Sequence, residues 1–451
     1  MTMNETDLHF DVVIVGLGKT GLSCVRYLSK QGLNIAVIDS RLEPPELTSF
    51  NDEFILVPAY LGEIKKEVLL AAEQVVLSPG VSLQEENIKQ AIANGIPVIG
   101  DVELFCQQAN APIIAISGSN GKSTVTTLVA EMTHNAGLKT CVGGNLGTPV
   151  LDLLNEATPD VYVLELSSFQ LETTFSLNAH ASAVLNVSPD HMDRYASLED
   201  YANAKNKIYS GQGVMVVNKD DAIVNAMTDA SRKSISFSLD KPQDNNFGLI
   251  KESGDVFLCH GKEKIINQNE LLIKGEHNMA NALAAMALAD SINVPKQAMI
   301  ETLKTFKGLE HRCQLVKTIN NVHWYNDSKA TNVGACVASI KGLCETGKII
   351  LIAGGDSKGA DLSGLKPIVK QYVKNVLLLG VDAKKIKEVI GSDVSCEFVS
   401  DMDEAVVKAS QCAESGDQVL LAPACASLDM YKNYQERGGV FVNAVNALEA
   451  C

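Results

Sequence analysis

Residues 116–124 read ISGSNGKST, a stretch in which a lysine and several hydroxyl side chains lie beside two glycines. The preceding PIIAI is typical of a buried strand, and KSTVTTLVAEMTHNAG is typical of a helix that ends near Gly137. Backbone N–H groups at the start of such a helix attract phosphate. The common phosphate loop has a glycine where this chain has Ile116, so we expect a shortened phosphate loop. In this loop Lys122 would neutralise phosphate, and Ser123 or Thr124 would bind Mg²⁺.

Two further polar residues follow predicted strands and are candidate metal ligands. Glu165 ends the apolar run VYVLEL, and His191 follows the run ASAVLNV. Open α/β sheets bind ligands at the carboxyl ends of their strands. A carboxylate suits Mg²⁺ because this ion prefers oxygen ligands. A single histidine is weak evidence, but Asp190, Asp193 and Arg194 surround this one with polar groups.

A glycine-rich turn near the amino terminus indicates a second phosphate site. Gly16, Gly18 and Gly21 complete the pattern G-x-G-x-x-G between a predicted strand and a predicted helix. Asp39 ends the next strand, where a ribose-binding acid is expected, and Arg41 could contact a further anion. This spacing does not distinguish UDP from NAD, so an NAD-dependent dehydrogenase remains an alternative.

The last third of the chain has polar turns after apolar strands. The turns lie in EHRCQ, NDSKATN, GGDSKGADLS and PACASLDMYKNYQERG. Arg312, Asp327, Lys329 and Lys358 are candidates for contacts with an anion or a nucleotide. Cys425 lies beside one of these motifs, but free cysteines are usually buried, so a packing role is expected.

The elements that must position these residues are short Val/Ile/Leu-rich strands alternating with helices. Such runs indicate parallel sheets covered on both faces, and therefore an α/β fold. Each block of strands begins with a strand that leads into a glycine-rich turn. We expect three domains, with a small antiparallel excursion between 235 and 275. The predicted domains are residues 1–100, 101–308 and 309–451.

Length and composition limit the classes of protein that remain. A chain of 451 residues is too long for one core, and about three domains are expected. A net charge of -16 disfavours nucleic acid as a partner. Neither a membrane-spanning run nor an amino-terminal signal peptide is predicted. The 11 cysteines lack a C-x-x-C pair, which favours a reduced, cytoplasmic chain.

Taken together, these motifs resemble the Mur ligase family of peptidoglycan synthesis. The resemblance covers nearly the whole chain and is greatest to the branch that adds D-glutamate. That family has a compact ATP loop, G-x-N-G-K-[ST], which accounts for the missing glycine at Ile116. The matching stretches, in the order of the family, are GSNGKSTVTTLVAEM, VGGNLGTP, VLELSSFQLE, NVSPDHMDRY, KGEHNMANALAA, NDSKATN and APACASLD.

The resemblance implies three α/β domains that bind a UDP-sugar, ATP and an amino acid. The implied reaction uses ATP to join D-glutamate to UDP-N-acetylmuramoyl-L-alanine through an acyl phosphate, and we expect a monomer. The ATP contacts would be Gly118, Ser119, Asn120, Gly121, Lys122, Ser123, Thr124, Asn278, Arg312 and Asp327. The contacts with the UDP substrate would be Thr20, Asp39, Ser40, Arg41, Ser78, Gly80 and Asn145. The contacts with D-glutamate would be Thr331, Lys358, Ser427, Leu428 and Tyr434.

The resemblance also implies two Mg²⁺ ions and a modified lysine. One ion would face Ser123 and Glu165, and the second would face His191. The carbamylated lysine of the family matches Lys205, and a carbamate supplies anionic oxygens where an ammonium would repel a cation. Lys122, Glu165, His191 and Lys205 are therefore the expected catalytic residues. Tyr434 departs from the family, in which a phenylalanine is expected at this position, so the resemblance does not determine the polarity of the amino-acid pocket.

Three alternatives remain beside this interpretation. A sister Mur ligase or a folylpolyglutamate synthase would share the ATP loop and the acyl-phosphate chemistry, although NDSKATN and APACASLD favour the D-glutamate branch. An NAD-dependent dehydrogenase would leave the loop Gly118–Thr124 unexplained. A nucleotide-binding scaffold would bind ATP without turnover.

Overall fold

The computed structural model describes residues 8–155, 157–273, 275–343 and 348–448. The expectation of no signal peptide concerns the amino-terminal segment, and residues 1–7 of that segment lie outside the described residues. The described residues form three separate sheets of five, nine and six strands. The α/β fold predicted from the alternating apolar runs is therefore confirmed.

The first sheet is parallel and has β1 at its centre, in the order β3-β2-β1-β4-β5. Its strands are β1 (Phe10–Val15), β2 (Ile35–Asp39), β3 (Ala59–Leu61), β4 (Ala72–Leu77) and β5 (Val98–Ile99). Its helices are α1 (Lys19–Lys30), α2 (Leu47–Glu53), α3 (Lys66–Leu70) and α4 (Glu86–Ala93). From β1 the chain runs outwards through β2 to β3 and then crosses back to β4 on the other side of β1, so the strand order reverses there and a crevice opens beside the end of β1.

The second sheet follows α5 (Asp101–Cys106) and has the order β14-β13-β12-β11-β10-β9-β6-β8-β7. Its strands are β6 (Ile113–Ser117), β7 (Thr140–Gly144), β8 (Val161–Glu165), β9 (Ala181–Val184), β10 (Val214–Asn218), β11 (Ser234–Phe237), β12 (Phe247–Glu252), β13 (Asp255–His260) and β14 (Glu263–Asn267). Its helices are α6 (Lys122–Asn135), α7 (Ser168–Glu172), α8 (Leu198–Asn206), α9 (Ala222–Ala226), α10 (Glu276–Ser291) and α11 (Lys296–Thr305). Single 3₁₀ turns lie at Val150–Asn155, Lys207–Tyr209 and Gln268–Glu270. The antiparallel excursion predicted between 235 and 275 is present as β12, β13 and β14.

The third sheet has the order β15-β16-β20-β17-β18-β19. Its strands are β15 (Gln314–Ile319), β16 (Val322–Asn326), β17 (Ile349–Gly354), β18 (Val373–Leu379), β19 (Ser395–Phe398) and β20 (Gln418–Ala424). Its helices are α12 (Val333–Leu343), α13 (Leu365–Tyr372), α14 (Ala383–Ile390), α15 (Met402–Cys412) and α16 (Tyr434–Ala447). The strand pair β15–β16 is antiparallel, whereas a fully parallel sheet was expected. Two strands joined by a short turn, here Asn320–Asn321, can pair only in this direction.

Burial of small apolar side chains holds α6, at the centre of the second domain, in place. Helix α10 is alanine-rich, and its residues from Asn281 to Ala289 are all buried. It packs against α6, the helix that starts at the phosphate loop, because small side chains let the two helices approach closely.

In the part of the chain that the structure describes, no helix combines the length and apolarity that a membrane span requires.

Candidate active site

A cavity of about 610 Å³ lies at the carboxyl edge of the first sheet. Gly16 has a φ of 95°, and a β-carbon there would lie 2.9 Å from the β-carbon of Ser78. The Ser78 hydroxyl donates to the Gly16 carbonyl at 2.9 Å, so the turn after β1 is joined to the turn after β4. The structure places all the residues predicted to contact the UDP substrate on the wall of this cavity: Thr20, Asp39, Ser40, Arg41, Ser78, Gly80 and Asn145.

Asp39 and Arg41 form the charged part of this cavity. Asp39 is buried, and its Oδ2 accepts from the Leu17 N–H at 2.7 Å. The Arg41 guanidinium donates to both carboxylate oxygens, at 2.8 and 2.7 Å. Burial raises the pKa of Asp39, but the hydrogen bonds from Arg41 outweigh burial and leave the pKa below its usual value. Asp39 is therefore an anion, and half of the Arg41 side chain stays exposed to a ligand.

The loop between β6 and α6 has the backbone shape of a phosphate-binding loop. Gly118 and Gly121 have φ angles of 149° and 84°, and a side chain at Gly121 would collide with Asn281. Lys122 folds over the loop and donates to the carbonyls of Gly118 and Ser119, at 2.7 and 2.9 Å. Burial lowers the pKa of Lys122, because a desolvated ammonium is costly until an anion joins it.

A second cavity, of about 240 Å³, lies on one side of this loop. We call it the reaction cavity because it gathers groups from two sheets and from the phosphate loop. Asn145 lines both this cavity and the 610 Å³ cavity, so the two adjoin at that residue. The residues predicted for ATP, metal and amino-acid binding that line the reaction cavity are Ser119, Asn120, Gly121, Lys122, Glu165, His191, Lys205, Arg312, Thr331 and Lys358.

Glu165 fits a magnesium ligand. It is the last residue of β8, and its Oε1 accepts from the Asn145 side-chain amide at 2.5 Å. Its Oε2 is buried and has no hydrogen-bond partner among the residues that the structure describes. A buried carboxylate oxygen without a donor is suited to a hard cation.

His191 lies in the same cavity, in a backbone conformation with a φ of 58°. Burial lowers the pKa of His191 to about 4, so the imidazole is neutral and can accept a cation. The edge of the ring packs on Phe169, with 4.8 Å between ring centroids. The neighbouring Asp190 faces the third sheet: burial raises its pKa, but the positive charge around it, that of Lys358 included, outweighs burial and leaves the pKa below its usual value.

Lys205 is buried beneath the phosphate loop. Its Nζ donates to the Gly118 carbonyl at 2.9 Å and lies 4.4 Å from the centre of the Tyr201 ring. Burial, and then the charge of Lys122, holds the pKa of Lys205 well below its usual value. In the described ranges, the one group of three His, Cys, Asp or Glu side chains with closely spaced ligand atoms is His9, Asp11 and Glu73, away from this cavity.

A third cavity, of about 150 Å³, lies on the other side of the phosphate loop. Burial raises the pKa of Asp327, in its wall, to about 6. The Arg312 guanidinium donates to the Ser123 hydroxyl at 2.7 Å and thus reaches the start of α6. The residues predicted to contact ATP that line this cavity are Asn120, Gly121, Thr124, Asn278, Arg312 and Asp327.

Three residues predicted to bind D-glutamate do not line the reaction cavity. Ser427 is buried, and Leu428 is 72% exposed. The Tyr434 ring lies 4.0 Å from the Nζ of Lys329, and Lys329 itself lines the cavity. These three positions stay predictions, whereas Thr331 and Lys358 lie in the cavity wall.

Sequence reasoning missed several contacts across the cavity. Asn332 and Tyr201 both line it, and Tyr201 also contacts the ring of His191. Asn332 precedes the helical pattern of α12, a position typical of a helix cap, and this was the one signal in the sequence that could have singled it out. The ion pair between Lys358 and Asp190, at 2.8 Å, joins residues far apart in the chain and left no local signal.

Three α/β sheets, two of which meet at one phosphate loop while the first holds an adjoining cavity, define an ATP-dependent ligase architecture, and the chain belongs to the Mur ligase family. The family profiles "Mur ligase MurD-like, N-terminal domain", "Mur ligase middle domain" and "Mur ligase, glutamate ligase domain" match residues 10–100, 116–289 and 311–425. Membership of this family implies the use of ATP and Mg²⁺.

Within the family, the chain is similar over nearly its whole length to UDP-N-acetylmuramoylalanine–D-glutamate ligases. The protein of that name from Nitrosococcus oceani is 49% identical over 439 residues, which cover 97% of each chain. The one from Pseudomonas aeruginosa is 49% identical over 442 residues and covers 98% of each chain. Among solved structures, the UDP-N-acetylmuramate-alanine ligase MurC from Thermotoga maritima has the same fold, with a TM-score of 0.61 and 20% identity over 97% of this chain and all of its own.

Proposed function

We propose that the chain joins D-glutamate to UDP-N-acetylmuramoyl-L-alanine with the hydrolysis of ATP to ADP and phosphate. The names of the full-length relatives support this reaction. The observation that carries the proposal is Asn145, which lines both the 610 Å³ cavity and the reaction cavity. A substrate with its UDP group at the first sheet can therefore extend its acyl end past Asn145 towards the phosphate loop.

The domains divide the work in this proposal. Residues 1–100 bind the UDP group, 101–308 bind ATP, and 309–451 bind D-glutamate and complete the ATP site. The meeting of Arg312 with Ser123 and of Lys358 with Asp190 supports a reaction centre shared between the second and third domains. This shared centre explains why the ligase needs more than its ATP-binding sheet.

In the first step, an oxygen of the L-alanyl carboxylate attacks the γ-phosphorus of ATP. A bond forms between that oxygen and phosphorus, and the bond to the β-phosphate oxygen breaks, which gives an acyl phosphate and ADP. The carboxylate and ATP repel each other, so positive charge must offset the repulsion. Lys122 and Arg312 supply that charge, with Lys329 in the walls of both cavities beside the loop.

In the second step, the amine of D-glutamate attacks the acyl carbon, and phosphate leaves with the bonding electron pair. The ammonium group of D-glutamate must lose one proton to the surroundings before the attack and a second as the amide forms, so that the amide nitrogen keeps one hydrogen. Lys358 and Thr331 lie in the wall where they can hold a carboxylate of D-glutamate by charge and by hydrogen bonding. Asp190 holds Lys358 in position from the opposite side of the cavity.

Mg²⁺ fits this centre and would neutralise phosphate charge there. Ser123 and Glu165 would hold one ion, and His191 and Lys205 would hold a second. We further propose that Lys205 is carbamylated. Its Nζ donates to the Gly118 carbonyl and lies against the Tyr201 ring, and Lys205 lines the reaction cavity together with Glu165. Addition of CO₂ would replace this buried cation by an anion with two oxygen ligands.

The test of the reaction is release of phosphate from ATP with UDP-N-acetylmuramoyl-L-alanine, with and without D-glutamate. We expect sustained release and a new amide product only when D-glutamate is present. L-Alanine, L-lysine and diaminopimelate, tried in its place, distinguish the sister ligases. Turnover with one of these acceptors, and none with D-glutamate, would overturn the assignment.

The D-glutamate site has its own test in Lys358→Ala and Ser427→Ala. We expect each variant to raise the KM for D-glutamate much more than the KM for ATP, because each removes a group that the proposal assigns to a carboxylate of D-glutamate. Lys370→Ala is the matched control, since Lys370 forms an exposed ion pair with Asp393 on the same domain. Equal increases in both KM values would instead indicate a general loss of structure.

A further inference from the structure

Asn332 makes hydrogen bonds to both the helix that follows it and the phosphate loop of another domain. Its Oδ1 accepts from the Ala335 N–H at 2.9 Å and so caps the first turn of α12. Its Nδ2 donates to Oδ1 of Asn120 in the phosphate loop at 3.1 Å. The Asn120 amide returns a weaker bond to the Asn332 Oδ1, at 3.4 Å. The side chain is 5% exposed, so these bonds are shielded from water.

The same amide also reaches the charged pair across the reaction cavity. Asn332 Nδ2 donates to Oδ2 of Asp190 at 3.3 Å, while Lys358 donates to Oδ1 of Asp190 at 2.8 Å. One carboxylate of the second domain thus holds two groups of the third domain. Because both contacts end on Asp190, a shift of the third domain would move Asn332 and Lys358 together relative to the phosphate loop.

Asn120 is itself fixed from the other side. Its N–H donates to the Asn186 side chain at 2.8 Å, and the Asn186 amide donates back to the Asn120 carbonyl at 3.1 Å. The position of Asn120 therefore depends on the loop after β9 as well as on the phosphate loop. The Asn332 amide can donate to Asn120 only when the second and third domains are closed on each other.

We propose that Asn332 is a positioning residue that keeps the third domain in register with the phosphate loop, so that the amine of D-glutamate meets the acyl phosphate before water does. This inference rests on the proposed function for its chemistry and on the observed contacts for its geometry. Without this register, water attacks the acyl carbon in place of the amine. That side reaction returns the carboxylate and releases phosphate, so ATP is consumed without formation of an amide.

The probe is Asn332→Asp, which keeps the capping oxygen for α12 but replaces the donor by an anionic oxygen facing Asp190. Aspartate caps helices as well as asparagine does, so the fold should survive. We expect the ratio of phosphate released to amide formed to rise well above one, and kcat for amide formation to fall by on the order of 10²-fold, the cost of a small misplacement of reacting groups. Asp401→Ala is the matched control, because Asp401 caps α15 on the same sheet and lies on the exposed surface.

An Asn332→Asp variant with a ratio of one and near-normal kcat would overturn the proposal. So would an Asp401→Ala control that uncouples the reaction as strongly, since uncoupling would then follow from a substitution on the third domain that leaves the contact between Asn332 and the phosphate loop intact. Small-angle scattering gives a second measurement that needs no reaction. We expect a larger radius of gyration for Asn332→Asp than for the wild type and for Asp401→Ala, and an unchanged radius would contradict the contact between domains. A wild-type protein that forms no amide with D-glutamate would contradict the proposed function alone.

Discussion

The phosphate loop places two lysines over the same backbone carbonyl. Lys122 and Lys205 both donate to the Gly118 carbonyl, at 2.7 and 2.9 Å. Burial lowers the pKa of each, and the charge of Lys122 lowers that of Lys205 further. Two buried cations this close oppose each other, so the site favours a bound phosphate at one and loss of positive charge at the other.

Lys122→Ala tests the first of these roles. A positive charge in a desolvated phosphate site stabilises transition-state charge, so we expect kcat to fall by on the order of 10²–10³ with a retained fold. Lys139→Ala is the control, because Lys139 lies beyond the other end of α6 on the exposed surface. Measurement of kcat and of the circular dichroism spectrum separates the loss of chemistry from unfolding. A folded variant with near-normal kcat would remove residues 116–124 from the ATP site.

Lys205→Ala tests the second role. We expect it to be nearly inactive, and we expect added acetate to restore part of the activity by filling the vacated oxygen position, whereas chloride at equal ionic strength should not. Lys207→Ala is the control, since Lys207 donates to the Glu172 carbonyl at an exposed position. Labelled bicarbonate should also give a carbamate signal by NMR in the wild type that Lys205→Ala lacks. Full activity without acetate would exclude Lys205 from the mechanism.

At the scale of elements, the carboxyl ends of central strands position most of the chemistry. Strand β6 leads into the phosphate loop, β8 ends on Glu165, and β16 ends one residue before Asp327. Buried Arg437 on α16 then ties two turns of the third sheet together. It donates to the carbonyls of Ser328 and Cys425, at 2.8 and 3.2 Å. Burial lowers the pKa of Arg437 to about 10, so it is still charged at neutral pH.

The buried carboxyl of Asp101, at the start of α5, makes the stability of the fold depend on pH. Burial raises the pKa of this carboxyl from 3.8 to about 6, and Gln170 hydrogen bonds to it. The folded chain therefore holds the proton more tightly than the unfolded chain. This contribution to stability is present at low pH and is lost as pH rises through the folded-state pKa. Between about pH 5.5 and about pH 7.5 the loss is about 1 kcal/mol.

Asp101→Asn removes this titration. We expect the melting temperature of the variant, relative to that of the wild type, to rise between these two pH values. Asp52→Asn, at an exposed position of α2, is the control and should show no such rise. Parallel pH profiles for the wild type and Asp101→Asn would show that burial does not raise the pKa of Asp101.

At the scale of the whole molecule, the cavity at the first sheet and the phosphate loop are separate sites joined at Asn145. A ligand that binds only the folded state raises the melting temperature by mass action. We expect UDP-N-acetylmuramoyl-L-alanine to protect the wild type, and Arg41→Ala to lose this protection while it keeps protection by a non-hydrolysable ATP analogue. Thermal shift with each ligand measures both.

Arg26→Ala is the matched control for Arg41→Ala, because Arg26 pairs with Glu53 on the same domain away from the cavity. NAD should protect neither the variants nor the wild type. Protection of the wild type by NAD at concentrations where the UDP substrate protects would favour the dehydrogenase alternative for the first domain.

Local patterns in the sequence predicted most of the fold. Strands such as β1, β6, β10 and β17 are continuous apolar runs, and burial on both faces of a sheet demands such runs. Strands β3, β7, β11 and β19 were not predicted, because three to five residues of mixed polarity carry little periodic signal. The antiparallel β15–β16 pair also escaped prediction, since its residues are only partly buried.

The sequence by itself determined the phosphate loop and the glycine-rich turn, because each depends on a short motif beside a strand end. The resemblance to the Mur ligase family supplied the seven positions predicted to contact the UDP substrate, and all seven line the 610 Å³ cavity. Only the tertiary structure decided which motifs meet. Asn332 meets Asn120 across 212 positions, and Lys358 meets Asp190 across 168. Such pairs form only when separate domains pack together. Their stabilisation depends on burial and on the charge of both partners, and the local sequence around either residue does not show this. Ser427 and Leu428, which the resemblance assigns to D-glutamate, do not line the reaction cavity, and their role stays a prediction.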